Sequence, residues 1–428
     1  MDAMNYTINL SPIERGNSYM KNCIVAQSGG PTSVINASVM GVLDANINSQ
    51  YYDTVYAGIN GIQGILDKNI INLSSIAYND VKGLKYTPSS GLGSCRYKLK
   101  SHKKSDEEYI KLFEILEEYK IKTFFYIGGN DSQDTVHKLS VYANEHNKDI
   151  KFIGIPKTID NDLPIMDHTP GFGSAAKLIA TQVLENFLDA SVYPATGVFI
   201  LETMGRDTGW LAASACIAKI NGKPAADFIY LPEVAFDTDK FLKDVSKKLT
   251  EKKHVFVVVS EGIRTKEGQF LGDTYEVCVD KFGHTQLGGI CAFLKNLILT
   301  TRTAEKVRVL ELSTIQRSAM HCASQTDIDE AYDVGKAAAI YSIDGISGYM
   351  IGIRRLSNSP YASEPFALES VKVANNIKYF PKEWINDEGN NVTIEAYNYT
   401  LPLIMGEPKI LIENGLPKYT FLEEAFKL

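Results

Sequence analysis

Cysteine is sparse in this 428-residue sequence: six residues, Cys23, Cys95, Cys216, Cys278, Cys291 and Cys322, with no CxxC pair among them. That scatter excludes a zinc-ribbon pattern and a disulfide framework and fits free thiols in a reducing compartment. A basic surplus is also missing, since 44 Lys and Arg stand against 51 Asp and Glu for a net charge of −7. Nucleic-acid backbones are held by clustered cations, so no nucleic-acid partner is expected and any phosphate site must be local. No apolar run nears the length that spans a bilayer. The opening stretch, MDAMNYTINLSPIERGNSYMKN, lacks the basic-then-apolar order of a secretory leader. A cytoplasmic protein without a membrane partner is the expectation. What remains is ordinary globular material, 44% hydrophobic and 22% charged, long enough for two or three domains.

Short apolar runs alternate with helical periodicity through most of the chain. NCIVAQ at 22–27 reads as a buried strand, followed by a helical pattern over 33–45. Further strands are expected at 54–59, 122–127, 151–155, 197–201 and 254–260, with a helix over 106–119. Such alternation argues for an α/β protein with mostly parallel sheets flanked by helices. In such sheets ligands bind beyond the C-terminal strand ends, and at least four of these strands run into a Gly-containing polar turn. Several such turns in one chain favour a site assembled between two lobes. From about residue 371 the pattern degrades (KEWINDEGNNVTIEAYNYTLP), and 371–428 reads as an irregular extension.

The turns carry the chemistry. Ser28-Gly29-Gly30-Pro31-Thr32 sits between strand and helix, where glycines and unpaired N–H groups can admit an anion. It matches neither the Walker pattern GxxxxGK(S/T) nor GxGxxG, and a plain tight turn would look the same. Gly128-Gly129-Asn130-Asp131-Ser132 repeats the arrangement with a carboxylate at the helix start, which a simple N-cap also explains. Pro156-Lys157-Thr158-Ile159-Asp160-Asn161-Asp162 is the informative stretch. Phosphoryl transfer to a hydroxyl needs a carboxylate at the attacking oxygen, a cation on the moving group and a metal ligand, and this segment holds all three residue types. Arg96, Arg206, Arg308 and Arg317 suit a phosphorylated substrate as a set, because guanidinium forks grip phosphate bidentately. His168, His284 and His321 lie at no metal-ligand spacing.

In this order SGGPTSVINA, GLGSCR, GGNDS, PKTIDND, MGR, SEG and TIQR resemble the 6-phosphofructokinases, over roughly residues 22–352. The resemblance implies two Rossmann-like α/β lobes with the active site in the cleft between them. After a polar arm (1–21), it implies a donor-phosphate lobe of 22–172 plus about 315–370 and a sugar-phosphate lobe of 173–314. It implies fructose 6-phosphate as acceptor, magnesium as cofactor and a homodimer or homotetramer. Asp160 would be the base at the sugar 1-hydroxyl, and Asp162 would support magnesium. Thr158, Met204, Gly205, Arg206 and Glu261 would hold the sugar. Arg317 and Arg308 would grip its 6-phosphate, the latter across a subunit contact, while Gly30 and Arg96 would face the donor phosphates.

Asp131 and Lys157 resemble the pyrophosphate-dependent branch, where the aspartate occupies the place of a nucleotide α-phosphate and the lysine stabilises the transferring group. The physics agrees, since a carboxylate about 4 Å from a phosphate oxygen costs roughly 4 kcal/mol at an effective dielectric of ~20. Pyrophosphate is therefore the expected donor, with ATP the alternative and a non-catalytic sugar-phosphate-sensing or regulatory subunit the remote one. The sequence departs from the family pattern in three places. Asn130 stands where an acidic metal-associated residue is common and would join Asp162 at the metal, Thr314 stands where His or Tyr precedes IQR and would make a weaker sugar contact, and Gly197 stands where many ATP-using members have arginine.

Overall fold

The computed structural model describes residues 20–271 and 289–422. Cys278, His284, nearly all of the N-terminal arm and the last six residues of the extension lie outside the described residues. The larger sheet has seven strands. Five come from the first half of the chain: β1 (Asn22–Gln27), β2 (Thr54–Gly58), β3 (Ile70–Asn72), β4 (Ile121–Gly128) and β5 (Lys151–Pro156). The other two form the antiparallel hairpin Tyr349–Asn358/Tyr361–Glu369. From the hairpin edge the order is Tyr361–Glu369, Tyr349–Asn358, β5, β4, β1, β2, β3. Pairing is parallel from Tyr349–Asn358 through β2 and antiparallel at both edges. The smaller sheet is all parallel, ordered Val307–Glu311, β6 (Gly197–Thr203), His254–Ser260, Phe228–Tyr230.

Central strands covered on both faces must be apolar throughout rather than alternating. All six residues of β1 are buried, as are six of the seven in His254–Ser260. One face of the larger sheet is closed by helices Ile35–Ser49 and Gln325–Ile343, far apart in sequence, whose backbones touch. A Cβ on Gly41 would lie 2.1 Å from the Tyr332 carbonyl oxygen, and one on Gly335 would lie 2.1 Å from that of Ser38. Only glycine fits at that crossing. It brings Val334 and Ala337–Ala339 into the core with β1 and β5.

Of the stretch expected to be irregular, the described part, residues 371–422, joins both cores. It carries the helix Ile394–Thr400 and several single 3₁₀ turns. Val373 packs in the core of the larger sheet, while Phe380, Ala396 and Leu403 pack in the core built on β6. Trp210 is the anchor there: its ring lies 4.9 Å from Phe380, 5.1 Å from Tyr399 and 6.0 Å from Trp384 between centroids.

A buried ionic cluster pins the same region. His168 is held between Asp167 Oδ2 and Glu330 Oε2, each at 2.7 Å. Glu330 Oε1 also accepts from the Tyr361 and Ser363 hydroxyls, at 2.5 and 2.6 Å. Burial alone would lower the imidazole pKa, but the two carboxylates overcome it and raise it to about 9.

Candidate active site

The turns after β1, β4, β5, β6 and His254–Ser260 converge on one cleft of about 420 Å³ between the sheets. β5 ends at Pro156, and Lys157 N donates to the Gly128 carbonyl at 3.1 Å, so the lysine is still in register with β4 as the chain leaves the sheet. Its side chain crosses to the first turn, where Nζ donates to the Gly30 carbonyl at 2.5 Å. A Cβ on Gly29 would sit 3.3 Å from that nitrogen. Burial, then the neighbouring Arg317, lowers the Lys157 pKa to about 7. Absent an anion, the lysine is a desolvated cation facing another cation.

Asp160 and Asp162 follow on a fixed turn. Thr158 Oγ1 accepts from Asp160 N at 3.1 Å, and the Asp160 carbonyl accepts from the Thr208 hydroxyl at 3.2 Å. Between them Asn161 takes the left-handed conformation (φ 55°), and its Oδ1 accepts from Thr169 N at 3.0 Å. Burial pushes both carboxyls up. For Asp160 the opposing pull comes from Arg317, Arg206 and Lys157. Asp162 reaches about 7, through burial and then its repulsion from Asp160. A carboxylate of this kind, among cations and out of bulk water, is suited to accept a proton from a hydroxyl.

The β6 side supplies Met204, Arg206 and Glu261. Gly205 has φ 126°, and a Cβ there would lie 2.6 Å from the Thr208 carbonyl oxygen. This tight turn aims Arg206 at the cleft, with its Nε sealed from solvent and without a hydrogen bond. Gly205 N donates to Glu261 Oε1 at 3.4 Å, and burial with nearby Asp160 raises the Glu261 pKa to about 7. Arg317 lies over Gly30, where a Cβ would be 3.1 Å from its Cζ.

Gly30, Arg96, Asn130, Asp131, Lys157, Thr158, Asp160, Asp162, Met204, Arg206, Glu261 and Arg317 all line this cleft. Arg308 and Thr314 do not, and Gly205 shapes the turn without being part of the lining. The Arg308 guanidinium pairs with Asp189 at 2.6 Å and stacks 4.5 Å from the Tyr193 ring centroid, in a separate small pocket. Thr314 is exposed on the 3₁₀ turn Ser313–Arg317, whose Gln316 points inward instead and accepts from Met204 N at 3.2 Å. Neither Arg308 nor Thr314 reaches the cleft of its own chain.

Asn130 departs from its expected metal role as well. Its Nδ2 donates to the Val373 and Asn376 carbonyls at 3.2 and 2.5 Å, and its Oδ1 accepts from Asn375 N at 2.6 Å. Its side chain tethers the extension, and Oδ1, the one side-chain atom able to ligate, already accepts the Asn375 N–H. Asp162 does fit a cation, because its Oδ1 is sealed from solvent and accepts no hydrogen bond. Among the described residues no group of three or more His, Cys, Asp or Glu gathers to hold a metal alone. An ion here would take most ligands from the donor, as magnesium does when it binds phosphates through one or two carboxylates.

Some contributors to the cleft carry no motif. Lys98 reaches within 3.7 Å of Asp131 Oδ1, and its place two residues after Arg96 was the only hint of it. Asp207 pairs with Arg264 at 2.5 Å. Asn375 and Ile377 enter from the extension, where the sequence pattern offers nothing to find them by.

Compared with known proteins, residues 22–339 match the family model described as phosphofructokinase. The chain belongs to the phosphofructokinase family. Two curated relatives in it are both named pyrophosphate–fructose 6-phosphate 1-phosphotransferase. The one from Halomonas elongata is 40% identical, over 93% of this chain and 95% of its own length. The one from Methylococcus capsulatus is 41% identical, over 94% and 96%. The crystal structure of a pyrophosphate-dependent phosphofructokinase from Marinobacter aquaeolei superposes with a TM-score of 0.85 at 37% identity, covering 95% of this chain and 97% of the other. The two-sheet arrangement is thus the phosphofructokinase fold.

Proposed function

We propose that this phosphofructokinase moves a phosphoryl group from pyrophosphate to the 1-hydroxyl of fructose 6-phosphate, reversibly. The carrying observation is one cleft that places Asp131 at the start of helix Asn130–Glu145 and Lys157 across the first glycine turn, beside Asp160. Asp160 takes the proton of the 1-hydroxyl as its oxygen attacks one phosphorus. The bridging P–O bond breaks, orthophosphate leaves, and fructose 1,6-bisphosphate remains. Lys157 and Arg206 offset the charge on the transferring group, and Gly30 and Arg96 hold the donor. Thr158, Met204, Gly205 and Glu261 position the sugar, with Arg317 on its 6-phosphate.

Magnesium, held by Asp162 and the donor oxygens, supplies further neutralisation when bound. We assign donor binding to 22–172 plus about 315–370 and sugar binding to 173–314. We read the protein as a cytoplasmic homodimer or homotetramer, in which Arg308, outside its own cleft, serves the 6-phosphate bound by a neighbouring subunit. A coupled assay of fructose 1,6-bisphosphate formation with pyrophosphate or ATP, at equal magnesium, tests the reading. Turnover with pyrophosphate well above that with ATP is expected, and a preference for ATP would overturn the donor assignment.

A further inference from the structure

Lys378 belongs to the extension, carries no motif and lies behind the catalytic turn. Its Nζ donates to the Asp167 carbonyl at 2.7 Å, to Asn161 Oδ1 at 3.3 Å and to the Met166 carbonyl at 3.5 Å. Its backbone N donates to the Asp162 carbonyl at 2.8 Å. All four acceptors lie between Asn161 and Asp167, the segment that begins inside the catalytic turn. The lysine is itself clamped from the other side. Its carbonyl accepts from Trp210 Nε1 at 3.0 Å, and its ammonium sits 4.9 Å from the Trp210 ring centroid. Trp210 opens the short helix Trp210–Ala213, four residues beyond Arg206.

Asp160 and Asp162 both line the cleft, and Asn161 between them holds the left-handed conformation at φ 55°. Two groups from the extension secure it. The Asn161 amide donates to the Tyr399 hydroxyl at 2.9 Å, that hydroxyl donates to the Asp167 carbonyl at 2.6 Å, and Lys378 fills the remaining acceptors. Lys378 is half-buried behind the catalytic loop, and its Nζ is hydrogen-bonded to two backbone carbonyls and an amide oxygen rather than to a carboxylate.

We propose that Lys378 is a positioning residue of the phosphoryl transfer, an ammonium that locks the Asp160–Asp162 turn from behind and ties it to the Arg206 side of the cleft. This rests on the phosphotransferase reading above. Partners of this kind, one step behind a reacting or metal-holding group, typically govern about 10–100-fold in activity or metal affinity.

The test compares the wild type with Lys378→Met and Lys378→Gln, the latter keeping a donor for the Asp167 carbonyl so that the turn can still fold. Activity of the wild type with pyrophosphate is established first, and its absence would fail the donor reading rather than this one. In both variants kcat should fall about 10–100-fold, with KM for fructose 6-phosphate within about twofold of wild type. Calorimetric titration of magnesium pyrophosphate into the sugar-free enzyme, where nothing turns over, should show weakened binding. The same titration with fructose 6-phosphate should not. Lys378→Arg should recover part of kcat. The proposal is overturned if folded Lys378→Gln keeps more than about half of kcat with unchanged magnesium pyrophosphate affinity. It is equally overturned if sugar affinity, kcat and Tm fall together, which is the signature of a structural role alone.

Discussion

Donor choice should be encoded largely by one carboxylate, and Asp131→Asn and Asp131→Gly separate its charge from its bulk. Asp131 lies in the first turn of helix Asn130–Glu145, lines the cleft, and is 29% exposed with Lys98 at 3.7 Å. Two like charges about 4 Å apart repel by about 4 kcal/mol at an effective dielectric of ~20 and by about 1 kcal/mol in bulk water. Partial exposure places this site between those limits, and Lys98 offsets some of the repulsion. A nucleotide α-phosphate should therefore meet a penalty of about 1–3 kcal/mol, roughly 5–150-fold in kcat/KM. Pyrophosphate has no third phosphate and escapes it. Asp131→Asn removes the charge and keeps the volume, so ATP use should rise within that range. Asp131→Gly adds room and should exceed it, while either variant retains pyrophosphate turnover through Lys157. Adding Lys157→Gly to Asp131→Gly should shift preference furthest toward ATP and non-additively, since the two charges share one ligand. The measurement is kcat/KM for both donors at fixed magnesium and ionic strength. If both single variants leave ATP use at the wild-type level, this carboxylate does not close the nucleotide site.

Asp160→Asn keeps the shape of the turn but cannot accept a proton, so kcat should drop about 10²–10⁴-fold with a small change in sugar KM; a variant with half its activity would remove Asp160 from the base role. Arg317→Ala should raise KM for fructose 6-phosphate about ten- to a hundredfold. Because the guanidinium lies over Gly30, a rise confined to the pyrophosphate KM would move Arg317 to the donor end. Lys157 titrates at about 7 without an anion and should stay protonated beside bound pyrophosphate. Binding should then take up a proton above pH 7 and weaken as pH rises; calorimetry in two buffers of different ionisation heat should show this uptake in wild type and its loss in Lys157→Met. His168 is protonated up to pH about 9 when folded and only below about 6.5 when unfolded. Its stabilisation is complete below pH 6.5 and disappears as pH rises through 9, on the order of 3 kcal/mol. Wild-type Tm should therefore fall more steeply from pH 7 to 10 than that of His168→Gln, and equal slopes would refute a charged His168.

Much of the architecture is local and therefore legible in the residues. Strand His254–Ser260 is marked by a continuous apolar run because a parallel strand covered on both faces has no polar side to reveal. The glycine turns are marked because backbone at strand ends must turn tightly. Local signals also misplace what is set by partners. The helix expected over 33–45 runs Ile35–Ser49, ending only where Gln50 turns left-handed with its N–H on the Asn46 carbonyl. The extension is opaque for the same reason: its apolar groups follow no period because Val373 joins one core while Phe380 and Leu403 join the other, both built by earlier residues.

The amino-acid order by itself determined the fold class and the chemistry, since residue types within one short segment, Lys157 to Asp162, are fixed by what phosphoryl transfer requires. Tertiary structure alone decided which distant groups serve that segment. Lys98 enters beside Asp131, while Asn130 is spent on the extension and Arg308 is left outside the cleft. Lys378, more than two hundred residues beyond the turn it holds, has no signature of its own. A lone lysine or asparagine looks the same in any sequence context, and only the packing of the two sheets and the extension settles whether its polar atoms face a ligand, a carbonyl or water.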